Sequence, residues 1–212
     1  MHVSELLTLM GHLSVGNDNV SAWERAIFLQ YLNLAHCELY QGTASLNQDL
    51  WQLETLTTEE GQTTIPLAHP PYRLQQVYDR THHQRLTPLS FDDLLHKDPE
   101  FKDRGTPRHY TLHQQTLWFY PAPTSILSVQ VVSVPQPVLL KENTLEEEVP
   151  YPLAYHPVLV DGALTYLFQE EGGFKSPPKA QAAEQRWEIG KTRLISYLYQ
   201  ASGSTFSTFS SV

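Results

Sequence analysis

Cysteine is almost missing from this chain: Cys37 is the only one among 212 residues. That excludes an intrachain disulfide and suits a reducing compartment, with a packed thiol as the expected role. Long apolar runs are missing as well. No stretch approaches the roughly 20 residues needed to cross a bilayer, so the chain is expected to be soluble and to have no membrane partner. Met1 to Leu13 is apolar but short, carries His2 and Glu5, and lacks the basic n-region and small-residue cleavage site of a signal peptide. Positive charge is scarce: 14 Lys and Arg stand against 23 Asp and Glu, a formal net charge of -9. Binding nucleic acid depends on neutralising phosphate, so this balance speaks against a dedicated nucleic-acid binder.

Catalytic signatures are missing too. No serine lies in a G-x-S-x-G elbow, and Cys37 has no activating partner in view. Gly172-Gly173-Phe174-Lys175-Ser176 lacks the glycine-lysine step and preceding strand of a phosphate loop, so a helix-to-helix turn is expected, with Ser176 capping the next helix. Asp92-Asp93 and Glu146-Glu147-Glu148 fall in expected loops, without the apolar setting that raises a carboxyl pKa for acid catalysis. His82-His83 and the His109, His113 pair invite a metal. On the strand expected over 108–113, however, that pair would sit roughly 13 Å apart, and no cysteine or carboxylate completes a set. No metal and no cofactor is therefore expected, and no enzyme.

What the chain does have is two kinds of periodicity. Ser21-Ala22-Trp23-Glu24 matches a capping box. Behind it Trp23, Ile27, Phe28, Tyr31, Leu32, Ala35 and Leu39 recur at helical spacing until Gly42, expected to end the helix. Val3 to Leu13 suggests a shorter helix before it. Residues 156 to 200 carry two more: one entered at Pro157 and striped by Leu159, Ala163, Leu164 and Leu167, then one behind Pro177-Pro178 striped by Ala183, Trp187, Leu194 and Leu198, together an antiparallel hairpin. Between these ends the period is two. Residues 51–57 and 63–67 are expected to pair across Glu60-Gly61, residues 72–78 to form a strand, and Ser90 to start a helical turn. Residues 108–113, 116–120 and 126–134 suggest an antiparallel meander. The fold class expected is α+β: a helical bundle from residues 1–45 and 151–200, an inserted antiparallel sandwich-like lobe over 46–150, and an extended tail over 201–212. In the lobe, Trp51, Tyr72, Tyr78, Trp118, Phe119 and Tyr120 are expected mainly in the core, although an aromatic sheet face can also bind sugar.

Four blocks, taken together, resemble the head-to-tail adaptor (connector) proteins of tailed bacteriophages. They are Trp23-Glu24-Arg25-Ala26-Ile27 through Tyr31-Leu32-Asn33-Leu34-Ala35 with Glu38-Leu39, Gly105-Thr106-Pro107-Arg108-His109-Tyr110, Leu117-Trp118-Phe119-Tyr120-Pro121-Ala122-Pro123, and Tyr155-His156-Pro157-Val158-Leu159-Val160-Asp161-Gly162-Ala163-Leu164. The resemblance implies a virion protein made in the host cytoplasm that forms a ring, commonly of twelve, between the portal protein and the next tail or nozzle protein. DNA would pass through that ring without specific binding. It also implies that the C-terminal segment reaches the portal, which makes Ser204, Thr205, Phe206, Phe209 and Val212 the expected docking residues. Opposite charge at the two ends of the chain permits head-to-tail self-association, and Arg25, Glu38, Arg186 and Lys191 are the expected ring-interface residues. The competing expectations are a carbohydrate- or receptor-binding module on the aromatic sheet face and a small hydrolase using Asp92.

Overall fold

The computed structural model describes residues 1–16, 20–170 and 173–202, so the expected tail residues from 203 onward lie outside it. Among the described residues the protein is mixed α+β. Its helices are α1 (Val3–Val15), α2 (Ala22–Thr43), α3 (Phe91–Lys97), α4 (His156–Gln169) and α5 (Pro177–Ala201). Its strands are β1 (Gln52–Thr57), β2 (Thr64–Pro66), β3 (Arg73–Asp79), β4 (Gln84–Arg85), β5 (Thr87–Pro88), β6 (Arg104–Gly105), β7 (His109–His113), β8 (Thr116–Tyr120), β9 (Ala122–Pro123) and β10 (Ser128–Val134). Two compact units divide the chain: one is Met1–Gln48 with the chain from Pro137 onward, the other Asp49–Gln136.

The first unit is helical. Ser21 and Glu24 close the capping box of α2: the Glu24 amide donates to Ser21 Oγ at 3.3 Å and the Ser21 amide to Glu24 Oε2 at 2.9 Å. Gly42 does not stop this helix, which runs to Thr43 and ends on Ala44 in a right-handed conformation. A glycine ends a helix only where the chain takes up a left-handed turn, as it does at Gly16 with φ 71°. Leu6, Leu7, Met10, Phe28, Leu32, Leu159, Leu164 and Leu194 make one buried core. α4 and α5 run antiparallel, since Tyr155 meets Tyr197, Asp161 meets Arg186 and Phe168 meets Lys179. Two glycines permit the close approach. A Cβ on Gly162 would lie 2.9 Å from the Trp187 ring and from Ala35, and one on Gly190 would lie 2.8 Å from Val158. Ser176 precedes α5 without a side-chain capping bond. Pro177 and Pro178 occupy the first turn, where proline has no amide to offer.

Residues 137–150, expected in the β lobe with Lys141 to Glu148 as an exposed acidic loop, instead belong to the helical unit. Leu140 and Val149 are buried in its core. Asn33 clamps Leu140 from both sides, Nδ2 donating to the carbonyl at 3.1 Å and Oδ1 accepting the amide at 2.7 Å. His36 Nε2 lies 3.1 Å from the Val138 carbonyl, and the Val3 amide donates to Thr144 O. A carbonyl only accepts, so Nε2 carries the His36 proton, while the Tyr151 hydroxyl lies 3.2 Å from Nδ1 and donates to the His36 carbonyl at 3.1 Å. The segment is a strap laid along α1 and α2.

In the second unit one four-stranded sheet has the order β1-β10-β3-β4 and another β2-β8-β7-β5, with β6 and β9 forming a small parallel pair. The expected hairpin of residues 51–57 with 63–67 does not form: β1 pairs with β10 in the first sheet, β2 with β8 in the second. The expected meander is also broken. β7 and β8 do make a hairpin, but β10 leaves them to lie between β1 and β3. β1, β2 and β3 thus alternate between the two sheets, whereas β3 with β4 and β7 with β8 stay within one. Both sheets feed one core, with Val77, Val129 and Val131 from the first and Ile65, Leu117 and Phe119 from the second.

Candidate assembly surface

The helical unit carries a charged node where α2, α4 and α5 meet. Glu38 on α2 accepts from Lys191 Nζ at 2.9 Å and from the Tyr166 hydroxyl, and Lys191 also meets Glu188 at 2.6 Å and lies 5.0 Å from the centre of the Trp187 ring. Burial pushes the Glu38 carboxyl up, but the hydrogen bonds from Tyr166 and Lys191, the lysine charge and a Trp187 hydrogen bond outweigh it and hold the group below the usual carboxylate range. The same contacts act on the partners. Burial first, then the Glu38 carboxylate, pushes the Tyr166 hydroxyl up to about 12. Burial lowers Lys191, yet the bonds to Glu188 and Glu38 prevail and raise it.

All four residues expected at a ring interface therefore hold partners inside their own chain. Arg25 pairs with Glu142 of the strap at 2.7 Å, Arg186 with Asp161 at 2.7 Å, and Glu38 with Lys191. Of these pairs, Glu38–Lys191 joins a charge from each end of the chain within the protomer. The expected docking residues Ser204, Thr205, Phe206, Phe209 and Val212 fall outside the described residues.

Sequence reasoning missed the apolar outer face of α2. Trp23, counted there among the inward residues, is 67 % exposed, and Leu34 is 53 % exposed. At about 100° per residue Trp23, Ile27, Gln30 and Leu34 line up opposite Leu32 and Leu39, which face the core. A helical wheel would have separated the two stripes; a list of apolar residues at spacing three and four does not. Val138 and Leu139 of the strap are exposed as well.

The second unit offers no open aromatic platform at the strand expected to supply one. Phe119 is buried in the core, while Trp118 on the opposite face of β8 packs at 5.6 Å against Phe91 of α3 and at 4.9 Å against Phe101. Asp92 and Asp93 lie in the first turn of α3 rather than in a loop, and the Asp93 amide donates to Ser90 Oγ at 3.1 Å. His113 stacks on Phe91 with ring centres 4.1 Å apart, and His109 Nδ1 lies 2.6 Å from Thr87 Oγ1. His82 Nδ1 meets the buried Asp79 at 2.7 Å. Among the described residues no group of three His, Cys, Asp or Glu side chains converges as a metal site, and no helix is long and apolar enough to cross a membrane.

The helical unit of this mixed α+β chain thus exposes Trp23 and Leu34 of α2 and pairs its charges internally. The comparison with protein families agrees: the model described as SU10 adaptor protein matches residues 1–209. The chain belongs to that family, a phage head-to-tail adaptor family of the kind its four sequence blocks resemble. No curated protein matches it.

Proposed function

We propose that the protein forms the adaptor ring at the head-to-tail junction of the virion, joining the portal to the tail and lining the DNA channel, and that it acts by geometry and charge without catalysis. The family match over 1–209 carries this reading. The helices then serve as a bundle that builds the ring, and the two sheets as a sandwich-like lobe. The net charge of -9 supports a channel that repels phosphate and lets DNA slide. A heterologous contact repeated around an axis closes a ring only at one rotation per subunit, twelve copies being the number the resemblance suggests. Arg25, Glu38, Arg186 and Lys191 border the contact while keeping their intrachain partners. The tail, with Ser204, Thr205, Phe206, Phe209 and Val212, reaches the portal. The carbohydrate reading has less support, because Phe91 and Phe101 pack over Trp118.

The test is electron microscopy of the purified protein alone and with portal protein. Rings that cap the portal are expected. A chain that stays monomeric in both preparations overturns the reading. Removing residues 201–212 should leave the melting temperature unchanged, since the core of α5 ends at Leu198, while portal capture is lost. Undiminished capture would free the tail of its docking role.

A further inference from the structure

α2 and α5 each present two faces. Inward, α5 buries only a narrow seam of Ala180, Ala183, Trp187, Gly190, Leu194 and Leu198. Diametrically opposite, Ala182, Gln185, Ile189, Thr192, Ser196 and Tyr199 repeat at spacings of three and four, all exposed and none charged. Ile189, at the middle of this stripe, is 53 % exposed. The outer stripe of α2, with Trp23, Gln30 and Leu34 exposed and Ile27 half-buried against the helical core, is likewise uncharged and more apolar. At about 1.5 Å per residue the stripe from Trp23 to Leu34 runs roughly 17 Å and the one from Ala182 to Tyr199 roughly 26 Å. A lone polar helix face is normally sprinkled with charge. Two uncharged stripes on one unit, the one on α2 anchored by an exposed tryptophan, have the make-up of the dry centre of an interface.

Charge identifies the occupant. Outside the intrachain ion pairs named above, α1 and α2 keep Glu5 and Glu24, whereas α5 keeps Lys179 and Arg193 against Glu184. Two α2 stripes brought together would oppose acidic surroundings to acidic ones, and two α5 stripes basic to basic. An α2 stripe against an α5 stripe joins opposite signs. We propose that the outer stripe of α2 in one protomer docks on the outer stripe of α5 in a second copy, with Trp23 and Leu34 as anchors on one side and Ile189 on the other. The contact is heterologous, so each protomer offers both halves and the chain of contacts propagates. It rests on the ring reading and names the surfaces that build the ring.

Sedimentation velocity on the full chain tests it, alone and with portal protein, using Leu34→Glu, Ile189→Glu and Trp23→Ala, each checked for native circular dichroism. All three positions are exposed, so the fold should survive. A charge trapped in the contact should weaken self-association by about 100-fold or more, and loss of the Trp23 anchor by about 30-fold. Each glutamate variant should be monomeric by itself. Their equimolar mixture should give dimers and nothing larger, because Ile189→Glu keeps its α2 stripe and Leu34→Glu its α5 stripe. Assembly that survives in both glutamate variants overturns the contact and leaves the ring reading standing. If Leu34→Glu is monomeric but Ile189→Glu assembles, α2 pairs with another α2 and the proposal fails. Variants that still self-associate but no longer bind portal assign the stripes to the portal. A wild type that is monomeric in every preparation overturns ring and contact together.

Discussion

Single side chains matter most in the helical unit where space or charge is tightest. Gly190→Ala places a methyl group 2.8 Å from Val158, so α4 and α5 must separate. Urea titration should show a loss of about 1–3 kcal/mol, and an unchanged midpoint would show that α4 yields freely. Glu38 gives a pH signature. Its folded pKa is depressed, so the ionised form is the one the fold favours. The contribution is full above the ordinary carboxylate value of 4.5 and fades as pH falls through the depressed one. The side chain is 39 % exposed, which keeps the effect small through solvent screening. The gap in melting temperature between wild type and Glu38→Gln should therefore narrow from pH 7 to pH 3; a gap independent of pH would remove the carboxylate from the account.

At the scale of elements the hairpin and the strap are the informative pieces. Gln114 and Gln115 join β7 to β8 with φ of 47° and 64°, the two left-handed residues of a type I′ turn. Glutamine fits that conformation poorly, so Gln114→Asn with Gln115→Gly should stabilise the lobe by about 1 kcal/mol, measured as a higher melting temperature. The strap depends on Asn33. Asn33→Ala leaves the amide and carbonyl of Leu140 without their partner, a loss of about 2 kcal/mol, and should speed hydrogen exchange at the Leu140 amide while the β7–β8 hairpin stays protected. Equal exchange in both variants would mean that Leu140 packing alone holds the strap. Burial lowers the His36 pKa against the opposing hydrogen bond to Val138, so acid that charges the buried ring destabilises the helical unit around it.

On the scale of the whole molecule, two cores predict two folding units. Residues 49–136 contain both sheets and every residue of the second core. Expressed alone, they should unfold cooperatively with β-type circular dichroism. A span that is unfolded by itself would show that the helices complete it.

The sequence by itself determined the local elements. The helix caps at Ser21 and Ser90, the helical period of α2 and α5, the two-residue turn between β7 and β8 and the sequence blocks of an adaptor are all written in neighbouring residues, where propensity, capping and periodicity act. Partners distant in the chain were decided only by the tertiary structure. Alternation shows that residues 52–57, 64–66 and 128–134 are strands, but not that β1 pairs with β10 while β2 crosses to β8. That choice depends on which apolar faces close one core. For the same reason the acidic stretch 137–150 gave no sign of its binding to α2, because Asn33 and His36 meet it more than a hundred residues away in sequence. Trp23 is apolar wherever it stands in the chain; only the packing of Leu32 and Leu39 against the core turned its side of α2 outward.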